Sequence, residues 1–122
     1  MNDNEIETEE FIVAVDFDKL IETAGGEKVV PAVVVDRLGR LAMVGFMNEE
    51  ALRKTIETGL ATFWSRSRQE LWTKGVTSGN TMPVDSLALD CDNDTILLVV
   101  DPQGPVCHRE TETCFDDTPR LE

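Results

Sequence analysis

Val29-Val30-Pro31-Ala32-Val33-Val34-Val35-Asp36, then Arg37-Leu38-Gly39-Arg40, then Leu41-Ala42-Met43-Val44-Gly45-Phe46: an apolar run, a polar turn and a second apolar run. β-Branched residues crowd the first run, which reads as a strand. Pro31 removes one backbone donor and places that end at an edge or a bulge. The second run returns antiparallel to it. C-terminal to this hairpin, Asn48 reads as a helix cap. Glu49 and Glu50 fall in the first turn, where the helix dipole favours negative charge. Met47 staples onto Leu52, and Gly59 ends the helix in the left-handed conformation. Further strands are expected at Ala61–Arg66, Leu71–Thr73, Val84–Cys91 and Thr95–Asp101, with turns at Ser67–Glu70 and Asp92–Asp94. N-terminal to the hairpin, Phe17, Leu20, Ile21 and Ala24 have helical spacing after a possible cap at Asp16 and before Gly25-Gly26. The expectation is an α+β fold, an antiparallel-rich twisted sheet with two short helices.

The chain has 122 residues, which suits one domain, 1–122, with one core. Met1 to Glu10 carry five acids and no base. A secretory signal needs the reverse, so a cytoplasmic location is expected. Residues 1–10 and 116–122 read as mobile acidic tails. No apolar run approaches membrane-spanning length. The net charge of −13 disfavours nucleic acid and anionic membranes as partners. With 24 acids and only four lysines, the composition suggests adaptation to a salty cytoplasm. Three cysteines cannot all pair within one chain and stay reduced in that compartment.

Three constellations carry chemistry. The first is Asp90-Cys91-Asp92-Asn93-Asp94. In an extended conformation the three aspartates face one way and Cys91 the other, so oxygen ligands for magnesium separate from a sulfur ligand for zinc. The bland alternative is an acidic hairpin turn. An EF-hand loop is excluded, because Thr95 stands where the loop needs glycine and strand follows. The second is Cys107-His108 with Cys114. With Cys91 these make three thiolates, the number of protein ligands a catalytic zinc keeps. His108, the single histidine, is a fourth ligand, a proton carrier or a surface residue. The third is Phe63-Trp64-Ser65-Arg66-Ser67-Arg68, Leu71-Trp72-Thr73-Lys74-Gly75 and Thr77-Ser78-Gly79-Asn80-Thr81, a basic island in an acidic chain. Its arginines and hydroxyls suit phosphate; the bland alternative is a solvated hairpin over two core tryptophans.

In this order, and with Phe46-Met47-Asn48-Glu49-Glu50-Ala51-Leu52, Gly104-Pro105-Val106-Cys107-His108 and Cys114-Phe115, the sequence resembles the phosphoribosyl-AMP cyclohydrolase family. The resemblance covers roughly residues 29–115. It implies hydrolytic opening of the adenine ring of 1-(5-phosphoribosyl)-AMP at N1–C6, a step of histidine biosynthesis acting on a small nucleotide. It implies an intertwined homodimer with one Zn2+ per subunit, held by Cys91 of one subunit with Cys107 and Cys114 of the other. It also implies Mg2+ at Asp90, Asp92 and Asp94. Arg66, Arg68, Lys74, Ser78 and Asn80 would hold the phosphoribosyl groups. His108 would act as general base or proton shuttle, needed because three thiolates blunt the acidifying effect of zinc on water. A chain ending at Glu122 leaves no room for the fused pyrophosphohydrolase domain of some relatives, so a monofunctional enzyme is expected. Met82-Pro83 departs from the polar and basic residues common at that place.

Two rivals remain. A zinc nucleotide deaminase needs His-x-Glu, whereas Arg109 and Glu110 follow His108. A non-catalytic dimer stapled by zinc needs four protein ligands. A redox thiol protein is disfavoured, since no Cys-x-x-Cys is present.

Overall fold

Alternation along Lys28–Asp36 decides which face of the sheet is core. Val30, Ala32 and Val34 are fully buried, while Pro31, Val33 and Val35 on the other face are not. The computed structural model describes residues 5–121. In chain order its elements are α1 (Thr8–Val15), β1 (Ile21–Glu22), β2 (Lys28–Asp36), β3 (Leu41–Met47), α2 (Glu49–Thr58), β4 (Thr62–Ser65), β5 (Glu70–Thr73), β6 (Val84–Leu89) and β7 (Ile96–Val100).

The main sheet runs β3-β2-β7-β6, with β1 pairing the start of β2. Its pairs are antiparallel except one: β2 and β7 lie parallel, from Ala32↔Ile96 to Asp36↔Val100. The sheet is therefore mixed rather than purely antiparallel. The β4–β5 hairpin forms a separate two-stranded sheet. Helices and hairpin cover one face: Ile12, Val15, Leu52 and Phe63 join Val34 and Leu98 in a single apolar cluster. The opposite face stays apolar yet uncovered, with Val44 46% and Leu97 42% exposed.

The local signals around α2 hold. Asn48 Oδ1 accepts the Ala51 N–H at 2.8 Å, and Gly59 ends the helix at φ 75°. The N-terminal expectation needs correction. No helix forms at Phe17–Ala24; Phe17–Lys19 make one 3-10 turn and Ile21–Glu22 pair with β2. Asp16 does stand at the start of that turn, without a side-chain capping bond, and is at once the left-handed C-cap of α1, at φ 50°. The helix starts instead at Thr8, inside the segment expected to trail as a tail. Burial of Ile12 and Val15 drives it, and Arg53 of α2 grips Glu9 at 2.6 Å. The rest of that expected tail, residues 1–4, and residue 122 of the C-terminal one lie outside the described residues. Asp116 is tied through its carbonyl, which accepts from Arg109 at 2.7 Å. Among the described residues no helix is long and apolar enough to cross a membrane.

Candidate active site

β6 ends at Leu89, so Asp90–Asp94 is a turn and not extended strand. The alternating-face argument for these residues therefore fails. The aspartates converge by another route. Asp90 Oδ1 accepts the backbone N–H of Asp94 at 3.0 Å and of Thr95 at 3.3 Å, and Asn93 turns left-handed at φ 61°. This curl brings one carboxylate oxygen each of Asp90, Asp92 and Asp94 within 4.8 Å of one another. Desolvation pushes the Asp90 carboxyl up, but its hydrogen bonds from the Asp94 amide and neighbours outweigh this and hold it below its usual value. Asp94 is pushed up by hydrogen bonds shared with Asp92 and Asp90 and by their crowding charge. Three carboxylate oxygens gathered this closely, with the Asp94 carboxyl pushed up by its neighbours, can cradle a hard cation.

Cys107 and Cys114 are brought together at the other end of the sheet. Cys114 N–H bonds to the Ala42 carbonyl of β3 at 2.9 Å, and Thr113 Oγ1 donates to the same oxygen at 3.0 Å. Cys107 N–H bonds to Thr111 O at 3.1 Å, closing the loop between the two sulfurs. The backbone N–H of Arg109 and then its guanidinium, both near the sulfur, bring the Cys107 pKa down to about 6. Burial and then the charge of Cys107 push Cys114 up. Arg109 is a functional residue the sequence reading missed. A cation two positions from a cysteine was the available signal. His108 Nδ1 stands 3.9 Å from Cys107 Sγ.

Four of the five basic-island residues share a cleft with these groups. Arg68, Lys74, Ser78 and Asn80 line a cavity of about 550 Å³ that Cys107 and His108 also line. Glycines set the loop in place. A Cβ on Gly75 would collide with the Asn80 backbone, and one on Gly104 with the Asn80 side chain. Gln103 N–H bonds to Thr81 O at 2.9 Å, closing the same seam. Trp72 is half-buried rather than deep core: it packs on Phe63 with centroids 5.7 Å apart and also lines the cleft. Arg66 does not line it; its guanidinium lies 4.0 Å above the Phe46 ring. A second hollow of about 620 Å³ surrounds Asp36, Arg37 and Asp101, where Arg37 already pairs with Asp85 and Asp101. It holds no thiol or imidazole, so we place the chemistry in the cleft.

Cys91 stands apart from the other two sulfurs. It follows Asp90, whose N–H pairs with Thr95 one level beyond Ile96. Ile96 is level with Ala32, whereas Ala42, which anchors Cys114, lies beside the Val34–Val35 bulge. At about 3.3 Å per residue, three or more levels put roughly 10 Å along the strands between them, before lateral separation is added. One chain thus separates Cys91 from Cys107 and Cys114.

Fold and site together describe an α+β protein with two separate sets of side chains able to ligate a metal and a basic cleft beside one of them. Residues 43–116 match the family model described as phosphoribosyl-AMP cyclohydrolase, and the chain belongs to that family. It is 54% identical over 102 residues to a histidine biosynthesis bifunctional protein HisIE of Photobacterium profundum, covering 80% of this chain and 49% of that protein. Against the HisIE of Vibrio vulnificus (strain YJ016) it is 48% identical over 115 residues, 91% of this chain and 54% of the relative. Against that of Escherichia coli (strain K12) it is 58% identical over 80 residues, 66% of this chain and 39% of the relative. The chain spans about half the length of the curated relatives it matches.

Proposed function

We propose that this chain hydrolyses the N1–C6 bond of the adenine ring in 1-(5-phosphoribosyl)-AMP, giving the ring-opened phosphoribosyl-formimino-imidazole carboxamide ribotide of histidine biosynthesis. One observation supports the reading: in a member of this family, Arg68, Lys74 and Ser78, side chains suited to phosphate, line the same cleft as Cys107 and His108.

The residues support a division of labour. Lys74 and Arg68 neutralise phosphate, and Ser78 offers a hydroxyl beside them. Binding the remote phosphates positions the purine beside Cys107 and His108. There His108 takes the proton from a water that adds to C6, and N1 receives a proton as the C–N bond breaks. Asn80 holds the loop against Gly104.

The donor sets fit the metals the family implies. Cys107 is mostly thiolate at neutral pH, and the strain it places on Cys114 is of the kind a cation relieves. We assign Zn2+ to Cys107 and Cys114 with Cys91 of a second copy, and Mg2+ to Asp90, Asp92 and Asp94. Bound there, zinc supplies Lewis acidity that makes water nucleophilic at neutral pH, and magnesium offsets phosphate charge.

We further propose a homodimer working in the cytoplasm. The separation of Cys91 from its partners supports a second copy, and the uncovered apolar sheet face is the surface to meet it. A two-fold axis lying across the strands would turn the second sheet end over end. The Cys91 end of one copy would then approach the Cys107 end of the other.

Loss of the adenine chromophore on ring opening gives the test. Metal-replete protein is expected to open phosphoribosyl-AMP, and chelator to abolish this. Ammonia release would instead indicate a deaminase. Inactivity with four protein ligands on zinc would indicate a structural staple.

A further inference from the structure

Arg66 follows β4 yet turns away from the cleft that Arg68 and Lys74 line. Among the described residues it is the one arginine with neither a hydrogen bond nor a carboxylate within 4.0 Å. Arg37, Arg40, Arg53 and Arg68 pair with acids, and Arg109 and Arg120 bond to carbonyls. In a chain of charge −13 an arginine with no hydrogen-bond or acidic partner stands out. It is not loose, because its guanidinium carbon sits 4.0 Å over the Phe46 ring centroid.

Phe46 pairs with Pro31 and alternates with Val44, so it belongs to the uncovered face of the sheet. It also lies at the end of β3 remote from Ala42, the anchor of Cys114. A second sheet reversed end over end sets the Phe46 end of β3 against the Ala42 end of its counterpart. Arg66 then hangs over the other copy's cleft. A guanidinium has two parallel donors for a phosphate, and its aromatic support pre-pays the ordering of the side chain.

We infer that Arg66 acts in trans, gripping a substrate phosphate in the cleft formed by Lys74, Cys107 and His108 of the second copy. This rests on the dimeric reading above and adds a substrate contact to it. A bridge to an acid of the second copy is the competing role, and kinetics separate the two.

Two tagged chains, one Arg66→Ala and one Cys107→Ser, are co-expressed and the heterodimer is isolated by both tags. Such a dimer keeps one working cleft, the one belonging to the Arg66→Ala chain. If Arg66 acts in trans, that cleft receives the intact arginine of the Cys107→Ser chain. The heterodimer then shows the wild-type KM at about half the wild-type kcat. The Arg66→Ala homodimer should keep its dimer mass and raise KM about tenfold to a hundredfold, the worth of a charged hydrogen bond. A heterodimer with the raised KM places Arg66 in its own cleft and overturns the inference. So does an Arg66→Ala homodimer with unchanged KM, whether or not its dimer weakens. A Cys91→Ser with Cys107→Ser heterodimer tests the dimeric reading separately. If it recovers activity while the arginine pair shows the raised KM, only the inference fails. If it stays inactive, the shared site fails and the inference with it.

Discussion

Arg109 stands beside Cys107, and its backbone N–H and then its guanidinium favour the thiolate and bring that thiol's pKa down to about 6. The guanidinium is itself fixed by its bond to Asp116 O at 2.7 Å. Arg109→Ala should therefore raise the Cys107 pKa from about 6 toward the ordinary thiol range. The rise should be partial, since the backbone donor survives. Thiolate absorbance of metal-free protein against pH measures it, and zinc affinity at pH 7 should fall in parallel.

The proposed mechanism gives the neighbours Cys107 and His108 different tasks. Cys107→Ala should lose zinc and activity together. His108→Ala should keep zinc and lose turnover by about a hundred- to ten-thousand-fold. Metal analysis of each variant beside its kcat tests the division. An His108→Ala protein without zinc would make His108 a ligand.

The seam between Asn80 and its two glycines predicts a graded response. Gly104→Ala must push the Asn80 side chain aside, at a cost of about 1–3 kcal/mol as for other overpacked sites. Gly75→Ala should cost more, because it meets backbone and the position has φ 79°. Denaturant unfolding ranks the two, and KM should rise in both as the phosphate loop shifts.

Asp85 accepts two hydrogen bonds from Arg37, at 2.6 and 3.0 Å, and its pKa lies below its usual value for that reason. Arg40 does the same for Asp36, chiefly through its backbone N–H. A depressed carboxyl contributes stability above its unfolded pKa and loses it as pH falls through the lower, folded one. The loss belongs below about pH 4, where free aspartate protonates. Melting curves from pH 6 to pH 2 should show it. Asp85→Asn should flatten that profile, and high salt should shrink the difference, since these groups are exposed.

The uncovered sheet face gives a direct test of assembly. Val44→Glu places a charge at its centre, where the side chain is 46% exposed in one chain. The variant should remain folded, run as a monomer in light scattering and lose its zinc and its ring-opening activity together. A folded, active dimer would move the interface elsewhere.

Much of the fold was legible because its causes are local. Period-two alternation in Val29–Asp36 and Leu41–Phe46, the Asn48 cap and the Gly59 stop each depend on a residue and its near neighbours. The Phe17–Ala24 reading failed for the opposite reason. Its spacing was helical, but pairing of Ile21 with Val29 left only a 3-10 turn before it. The helix moved to Thr8–Val15, where Glu9 finds Arg53, 44 positions away.

The candidate site divides in the same way. The sequence alone determined which side chains have the right chemistry: three sulfurs, three carboxylates, one imidazole and a basic island, all matters of residue type and order. Tertiary structure decided which of them meet. It curled the aspartates together, set Cys107 against Lys74, placed Cys91 at the far end of a strand and laid Arg66 on the sheet's uncovered face. The parallel joining of β2 to β7 sets these separations, and long-range pairing leaves no periodicity in the residues that take part in it.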